Sequence, residues 1–127
     1  MNIKSSQTLV QEALKVIKTI TPEEALEKLE KKQCNLIDIR DDIEIQREGS
    51  IANSLHISRG LLEFLIHPEN PYIEKEKLDF NKEIVLFCAA GGRSALAAKT
   101  LKDMGFEKIS HVAGGFNLMK NIGFKIK

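Results

Sequence analysis

The chain lacks most of the features that would place it in a specialised class. It has two cysteines, Cys34 and Cys88, in 127 residues. A disulfide-stapled secreted scaffold would carry more, so both read as free thiols of a reducing compartment. An excess of one charge is missing too: 19 basic residues face 18 acidic ones, for a formal net charge of +1. No strong field therefore favours nucleic acid or an anionic membrane. Lys120, Lys125 and Lys127 make a short basic end that reads as solvated surface. Lys4, Glu12, Lys15 and Lys18 interrupt the first residues, which excludes a signal-peptide apolar core. No apolar run approaches the ~18 residues of a membrane span. The expected location is the cytoplasm, with neither nucleic acid nor membrane as a partner. No H-x-x-H or C-x-x-C spacing suggests a metal site, and no cofactor is implied. His56, His67 and His111 therefore read as structural. Cys34, at the start of a strand, reads as core packing.

What is present is a globular composition, 43% hydrophobic and 29% charged. The length favours one domain over residues 1–127. Residues 6–18 set Leu9, Val10, Ala13, Leu14 and Ile17 at helical spacing behind Ser5 or Ser6 as a cap. Residues 1–19 thus read as an amphipathic helix packed on the domain, with a partner surface as the alternative. Thr21, Pro22 and Glu24 spell a capping box with proline at the first helical position. Strands are expected at 34–40, 54–58, 83–88 and 108–112. Helices are expected from Arg59 to before Pro68, over 93–104 with Gly105 as the stop, and briefly before Gly123. Residues 67–82 hold two prolines and many charges, and read as an exposed connection. Strands alternating with helices predict α/β with a mainly parallel sheet.

The stretch FCAAGGRSALAAK, residues 87–99, carries the chemistry. Cys88 ends the most apolar strand, where open parallel sheets place their sites. Gly91 and Gly92 let the backbone curl with its amides turned inward. Such a nest at a helix N-terminus binds anions, and a thiolate is one. From these residues alone, Cys88 is either a nucleophile in an amide cradle or a buried cysteine before an ordinary glycine turn.

Three ordered motifs resemble the rhodanese family, in its single-domain, thiosulfate sulfurtransferase-like form. CAAGGRS resembles its C-x-x-G-x-R active-site loop. LIDIRDDIEIQREGSI resembles its first motif, with Asp38, Arg40, Glu44, Gly49 and Ile51 at matching places, and SLHISRGLLEF the segment after it. GFEKISHVAGGFNLMKNIGF resembles its closing motif, with Gly105, Phe106, Val112, Gly114, Gly115, Phe116 and Gly123 matching. Roughly residues 20–127 are covered. Ser50, Ala52 and Met119 depart from the family's usual His, Pro and Trp, and Ala89 and Ala90 from larger polar residues in the loop.

The resemblance implies a three-layer α/β/α fold around a mainly parallel five-stranded sheet. It also implies a sulfurtransferase, in which Cys88 takes a sulfane sulfur from a donor such as thiosulfate and passes it to cyanide or a thiol. A protein is a further acceptor class. The amides of Ala89, Ala90, Gly91, Gly92, Arg93 and Ser94 would cradle the persulfide. Arg93 reads as a holder of an anionic donor, or as a surface residue of a first helical turn. Arg59 reads as a pocket residue or a surface one. Asp38 and Arg40 read as an ion pair supporting the loops. Two rivals stand beside this. One is a sulfur-carrier or regulatory module on the same fold with little catalysis, which the intact cysteine loop argues against. The other is a phosphatase or arsenate reductase, whose loop has five residues between Cys and Arg where this chain has four.

Overall fold

The computed structural model describes residues 1–76 and 78–127, apart from the side chains of Glu74 and Lys75. Short apolar runs form the strands β1 (Lys18–Ile20), β2 (Cys34–Asp38), β3 (Leu55–His56), β4 (Glu83–Phe87) and β5 (Ile109–Val112). They pair in parallel in the order β1-β5-β4-β2-β3. This all-parallel five-stranded sheet bears out the expected α/β class. β4 is central, and a strand buried on both faces can be apolar almost throughout.

Among the described residues, seven helices accompany the strands: α1 (Ser6–Leu14), α2 (Pro22–Glu30), α3 (Asp42–Glu48), α4 (Leu62–Leu65), α5 (Pro71–Glu76), α6 (Gly92–Met104) and α7 (Gly115–Met119). A 3-10 turn, Arg59–Leu61, leads into α4. Side chains alternate between the sheet's two faces. Ile37, Ile39, Ile84, Leu86, Cys88 and Ile109 pack with Ala97, Ala98 and Leu101 of α6. Leu36, Val85, Phe87 and Val112 pack with Ala25 of α2 and with Phe116 and Met119 of α7. Helices on both faces make the layering α/β/α.

Local chemistry explains the element ends. The Thr21 hydroxyl accepts from the Glu24 N–H, and the Glu24 carboxylate accepts from the Thr21 N–H, closing the predicted box. Gly105 ends α6 in the left-handed region at φ 110°, which a side chain would resist.

Three expectations are corrected. The helix expected over 6–18 stops at Leu14, and Lys18–Ile20 instead forms the edge strand β1 against β5. The run from Val16 to Ile20 is rich in β-branched residues, which fit a pleated edge. The connection expected over 67–82 contains α5, begun where the Asn70 side chain accepts from the Tyr72 N–H. Its Ile73 is fully buried, and Leu78 and Phe80 pack on the core, while residues 67–69, 71 and 72 are exposed as expected. Lys77 of that segment lies outside the described residues. The third is α3, which follows β2 where no element was expected.

Candidate active site

Cys88 sits one residue beyond β4, its side chain buried on the α6 side of the sheet. The strand is anchored there by the Ile39 N–H, which donates to the Phe87 carbonyl at 3.0 Å. The chain then turns through Ala89 to Gly91. Gly91 adopts φ 109° as the N-cap of α6. That left-handed residue turns the chain back, and the Gly91 N–H donates to Cys88 Sγ at 3.1 Å. The Ser94 N–H donates to the same sulfur at 3.4 Å, and Ser94 Oγ lies 3.5 Å from it. The sulfur thus lies at the positive end of a 13-residue helix, among donors suited to an anion.

The loop's carbonyls are held from the other side. Cys88 C=O accepts from the Phe116 N–H at 2.8 Å, and Ala89 C=O from the Asn117 N–H at 3.0 Å. This docking needs Gly115, whose φ is 54°. A Cβ there would stand 2.3 Å from the Cys88 carbonyl oxygen. With the carbonyls bonded to α7, the amides that follow are free to face the sulfur. Ala89 is half-buried and Ala90 exposed, so the rim over the thiol is small and apolar.

Arg93 opens α6 but its fork is occupied. Nη1 and Nη2 each donate to one oxygen of Glu44 on α3, both at 2.8 Å. Both terminal nitrogens of the guanidinium are thus engaged by one carboxylate. The Arg93 hydrogen bonds hold the Glu44 carboxyl down at about 2. Glu44 raises Arg93 in turn, and the nearby Cys88 adds to that.

Asp38 and Arg40 form a fully buried pair at the end of β2. Arg40 Nε and Nη2 donate to the carboxylate, and Nη2 also donates to the Gly49 carbonyl at 2.7 Å. Ser50 donates to the same carboxylate at 2.6 Å. Every charge in the pair is thus hydrogen-bonded, the condition for burying ions. The Arg40 guanidinium lies 4.0 Å from the centre of the Phe116 ring, linking β2 to the residue that caps the Cys88 carbonyl. Arg59 donates to Glu63 at 2.6 Å and to Thr100 of α6 at 3.3 Å, and its backbone N–H donates to the Ile39 carbonyl at 2.9 Å.

Sequence reasoning missed His111 and Thr19. His111 is buried on β5, with Nδ1 2.9 Å from Ser94 Oγ and Nε2 2.9 Å from Thr19 Oγ1. Glu44 was seen only as a motif match. A polar residue two places after Ile109, on the α6-facing side of β5, was the available signal for His111. Cys34 lies apart beside Glu83, and burial together with that carboxylate pushes its thiol up to about 11.

With this geometry in place, comparison with known proteins is direct. The model of the rhodanese-like domain family matches residues 21–121. The "Putative sulfurtransferase YtwF" of Bacillus subtilis is 37% identical over 100 residues, covering 78% of this chain and 86% of that protein. The "Thiosulfate sulfurtransferase GlpE" of Coxiella burnetii is 31% identical over 103 residues, covering 81% and 87%. Among solved structures, a Rhodopseudomonas palustris protein of unknown function, described as a "Possible Tyrosine Phosphatase", superposes with a TM-score of 0.86. It is 36% identical, and the match covers 100% of this chain and 97% of that one.

Proposed function

The chain belongs to the rhodanese-like domain family, and on that premise we propose that it is a sulfurtransferase whose Cys88 carries the transferred sulfur as a persulfide. The observation that carries this reading is the pair of N–H groups, from Gly91 and Ser94, aimed at Cys88 Sγ at 3.1 and 3.4 Å. Donors fixed in advance around a negative sulfur need no reorganisation when charge develops there.

The steps follow from that placement. The Cys88 thiolate attacks the outer sulfur of a donor such as thiosulfate. The donor's S–S bond breaks, and sulfite leaves with its electron pair. The new terminal sulfur carries the negative charge and lies at the mouth of the loop, towards the α6 N-terminus. An acceptor nucleophile, cyanide or a thiolate, then attacks that terminal sulfur, and Cys88 leaves as the thiolate. This is a two-step covalent route, with ping-pong kinetics expected. Arg93, neutralised in part by Glu44, supplies field and loop rigidity more than a bidentate grip. The small rim at Ala89 and Ala90 suits a donor that presents a single projecting sulfur.

Phosphate-ester hydrolysis is the second reading, favoured by the description of the Rhodopseudomonas palustris neighbour. It needs an arginine that grips the phosphate, whereas the Arg93 fork is closed on Glu44. The loop also has one residue fewer than the Cys-x5-Arg loop such enzymes use.

Intact-mass measurement after incubation with thiosulfate, glutathione persulfide or mercaptopyruvate tests the proposal. One sulfur atom should be gained, retained in Cys34→Ser and lost in Cys88→Ser. Uptake from none of these donors overturns it. Turnover of p-nitrophenyl phosphate that requires Cys88 would establish the second reading instead.

A further inference from the structure

Cys88 is the first member of a buried chain of polar side chains. Sγ lies 3.5 Å from Ser94 Oγ, Ser94 Oγ lies 2.9 Å from His111 Nδ1, and His111 Nε2 lies 2.9 Å from Thr19 Oγ1. Cys88, Ser94 and His111 are each at most 2% exposed, whereas Thr19 opens to solvent on the edge strand. Thr19 and His111 are direct register partners of β1 and β5. Four polar groups in line through an apolar layer are costly to bury unless every hydrogen bond is made.

The donors and acceptors can be counted. A negative sulfur at Cys88 only accepts, so the Ser94 hydroxyl proton must point at it. Ser94 Oγ can then meet His111 Nδ1 only by accepting, which puts the ring's proton on Nδ1. Nε2 is then bare and accepts the Thr19 hydroxyl proton. All three bonds are polarised towards the sulfur. The Gly91 carbonyl, 3.3 Å from Ser94 Oγ, competes for the same hydroxyl proton. An ionised sulfur is the stronger acceptor. If Cys88 is instead the neutral thiol, its S–H donates to Ser94, Ser94 donates to Nδ1 or Gly91, and the chain runs the other way.

We propose that His111 is a positioning residue for Cys88: pinned by Thr19 as the Nδ1–H tautomer, it turns the Ser94 hydroxyl onto the sulfur and so favours the anionic thiolate and persulfide. The proposal rests on the sulfurtransferase reading only for the persulfide. Its thiolate half stands on this geometry alone. The surroundings suit a neutral ring that donates. Leu86 is its partner on β4, and α6 presents Ser94. Charged residues on α1 and α6 are taken up by other partners, Lys4 with Glu12, Arg93 with Glu44 and Lys99 with Asp103, while Lys102 donates to the Val16 carbonyl. On β1, Lys18 turns to Glu83. Burial holds His111 down at about 4, which keeps the ring neutral in the working range.

The test uses the full chain and no sulfur donor. Iodoacetamide alkylation of Cys88 is followed against pH in the parent protein, His111→Phe, His111→Asn and Thr19→Val, with folding checked by circular dichroism. His111→Phe should alkylate about tenfold more slowly at pH 7, with its profile displaced to higher pH. His111→Asn, whose amide N–H can replace Nδ1–H, should recover most of the rate, and Thr19→Val should shift the profile in the same direction by less. Long-range 1H–15N spectra of the unmodified protein at pH 8 should show His111 protonated on Nδ1, giving way to the other tautomer in Cys88→Ser. An unchanged profile in folded His111→Phe, or an Nε2–H ring in the parent protein, overturns the proposal. Because alkylation is read without a donor, a protein that shows these shifts yet takes up no sulfur would refute the sulfurtransferase reading and leave this one standing.

Discussion

Arg93 on α6 and Glu44 on α3 meet in a bidentate ion pair, each terminal guanidinium nitrogen 2.8 Å from one carboxylate oxygen. Glu44 Oε2 also accepts the Asp41 N–H at 2.9 Å, so one carboxylate both starts α3 and fastens the first turn of α6. Glu44→Gln keeps the shape but removes the charge that pairs the fork. We expect persulfide formation to slow about tenfold, a loss typical of a charge-assisted contact. Arg93→Lys, which cannot form the two-pronged contact, should behave similarly. Stopped-flow sulfur transfer from thiosulfate reads both, and unchanged rates would mean that the pair does not set the loop.

Gly115 and Gly60 make a controlled comparison. At Gly115 a Cβ would meet the Cys88 carbonyl at 2.3 Å, in a backbone with φ 54°. At Gly60 a Cβ would meet nothing within 4 Å. Gly115→Ala should therefore cost about 2 kcal/mol or more and push α7 off the cysteine loop. Gly60→Ala should stay within about 0.5 kcal/mol. Chemical denaturation and sulfur uptake measure the two effects, and equal behaviour of the pair would refute the docking argument.

What the sequence made legible was local or strongly patterned. The Thr21–Glu24 box needs only four residues, and the apolar run at 84–88 marks a central strand without any partner in view. Cys88 was visible because glycines and a helix start follow it directly. What stayed hidden depends on contacts between distant residues. His111 read as one more strand histidine, because Thr19, its partner, is 92 residues earlier, on a strand that looked like the end of a helix. Arg93 looked free because Glu44 lies 49 residues away on an unexpected helix. α5 was masked by prolines and charges, although Ile73 faces inward.

The two cysteines should separate cleanly by reactivity. Burial and the neighbouring Glu83 carboxylate push Cys34 up to about 11, so at pH 8 only about one part in a thousand of it is thiolate. Cys88 has two backbone N–H donors on its sulfur instead. Brief iodoacetamide treatment at pH 8, followed by peptide mass analysis, should label Cys88 and spare Cys34. Faster labelling of Cys34 would contradict the amide cradle as an activating device.

Acid should reveal His111 before it reveals Glu44. Burial holds His111 down at about 4, against an ordinary value of 6.5. Between those values the unfolded chain binds a proton that the folded protein refuses, so stability is complete above pH 6.5 and falls as the pH drops towards 4. The full loss is on the order of 3 kcal/mol. Glu44 acts in a lower window: its contribution is intact above its ordinary 4.5 and is lost as the pH falls towards about 2. Urea unfolding at pH 7, 5.5 and 4.5 separates the two. The parent protein should lose stability across this series, and His111→Asn, which has no ring to titrate, should lose distinctly less. Glu44→Gln, which lacks that contribution throughout, should run parallel to the parent and below it down to pH 4.5, and the gap should narrow when the series is extended to pH 3. If His111→Asn tracks the parent throughout, the buried imidazole is not held neutral by its setting.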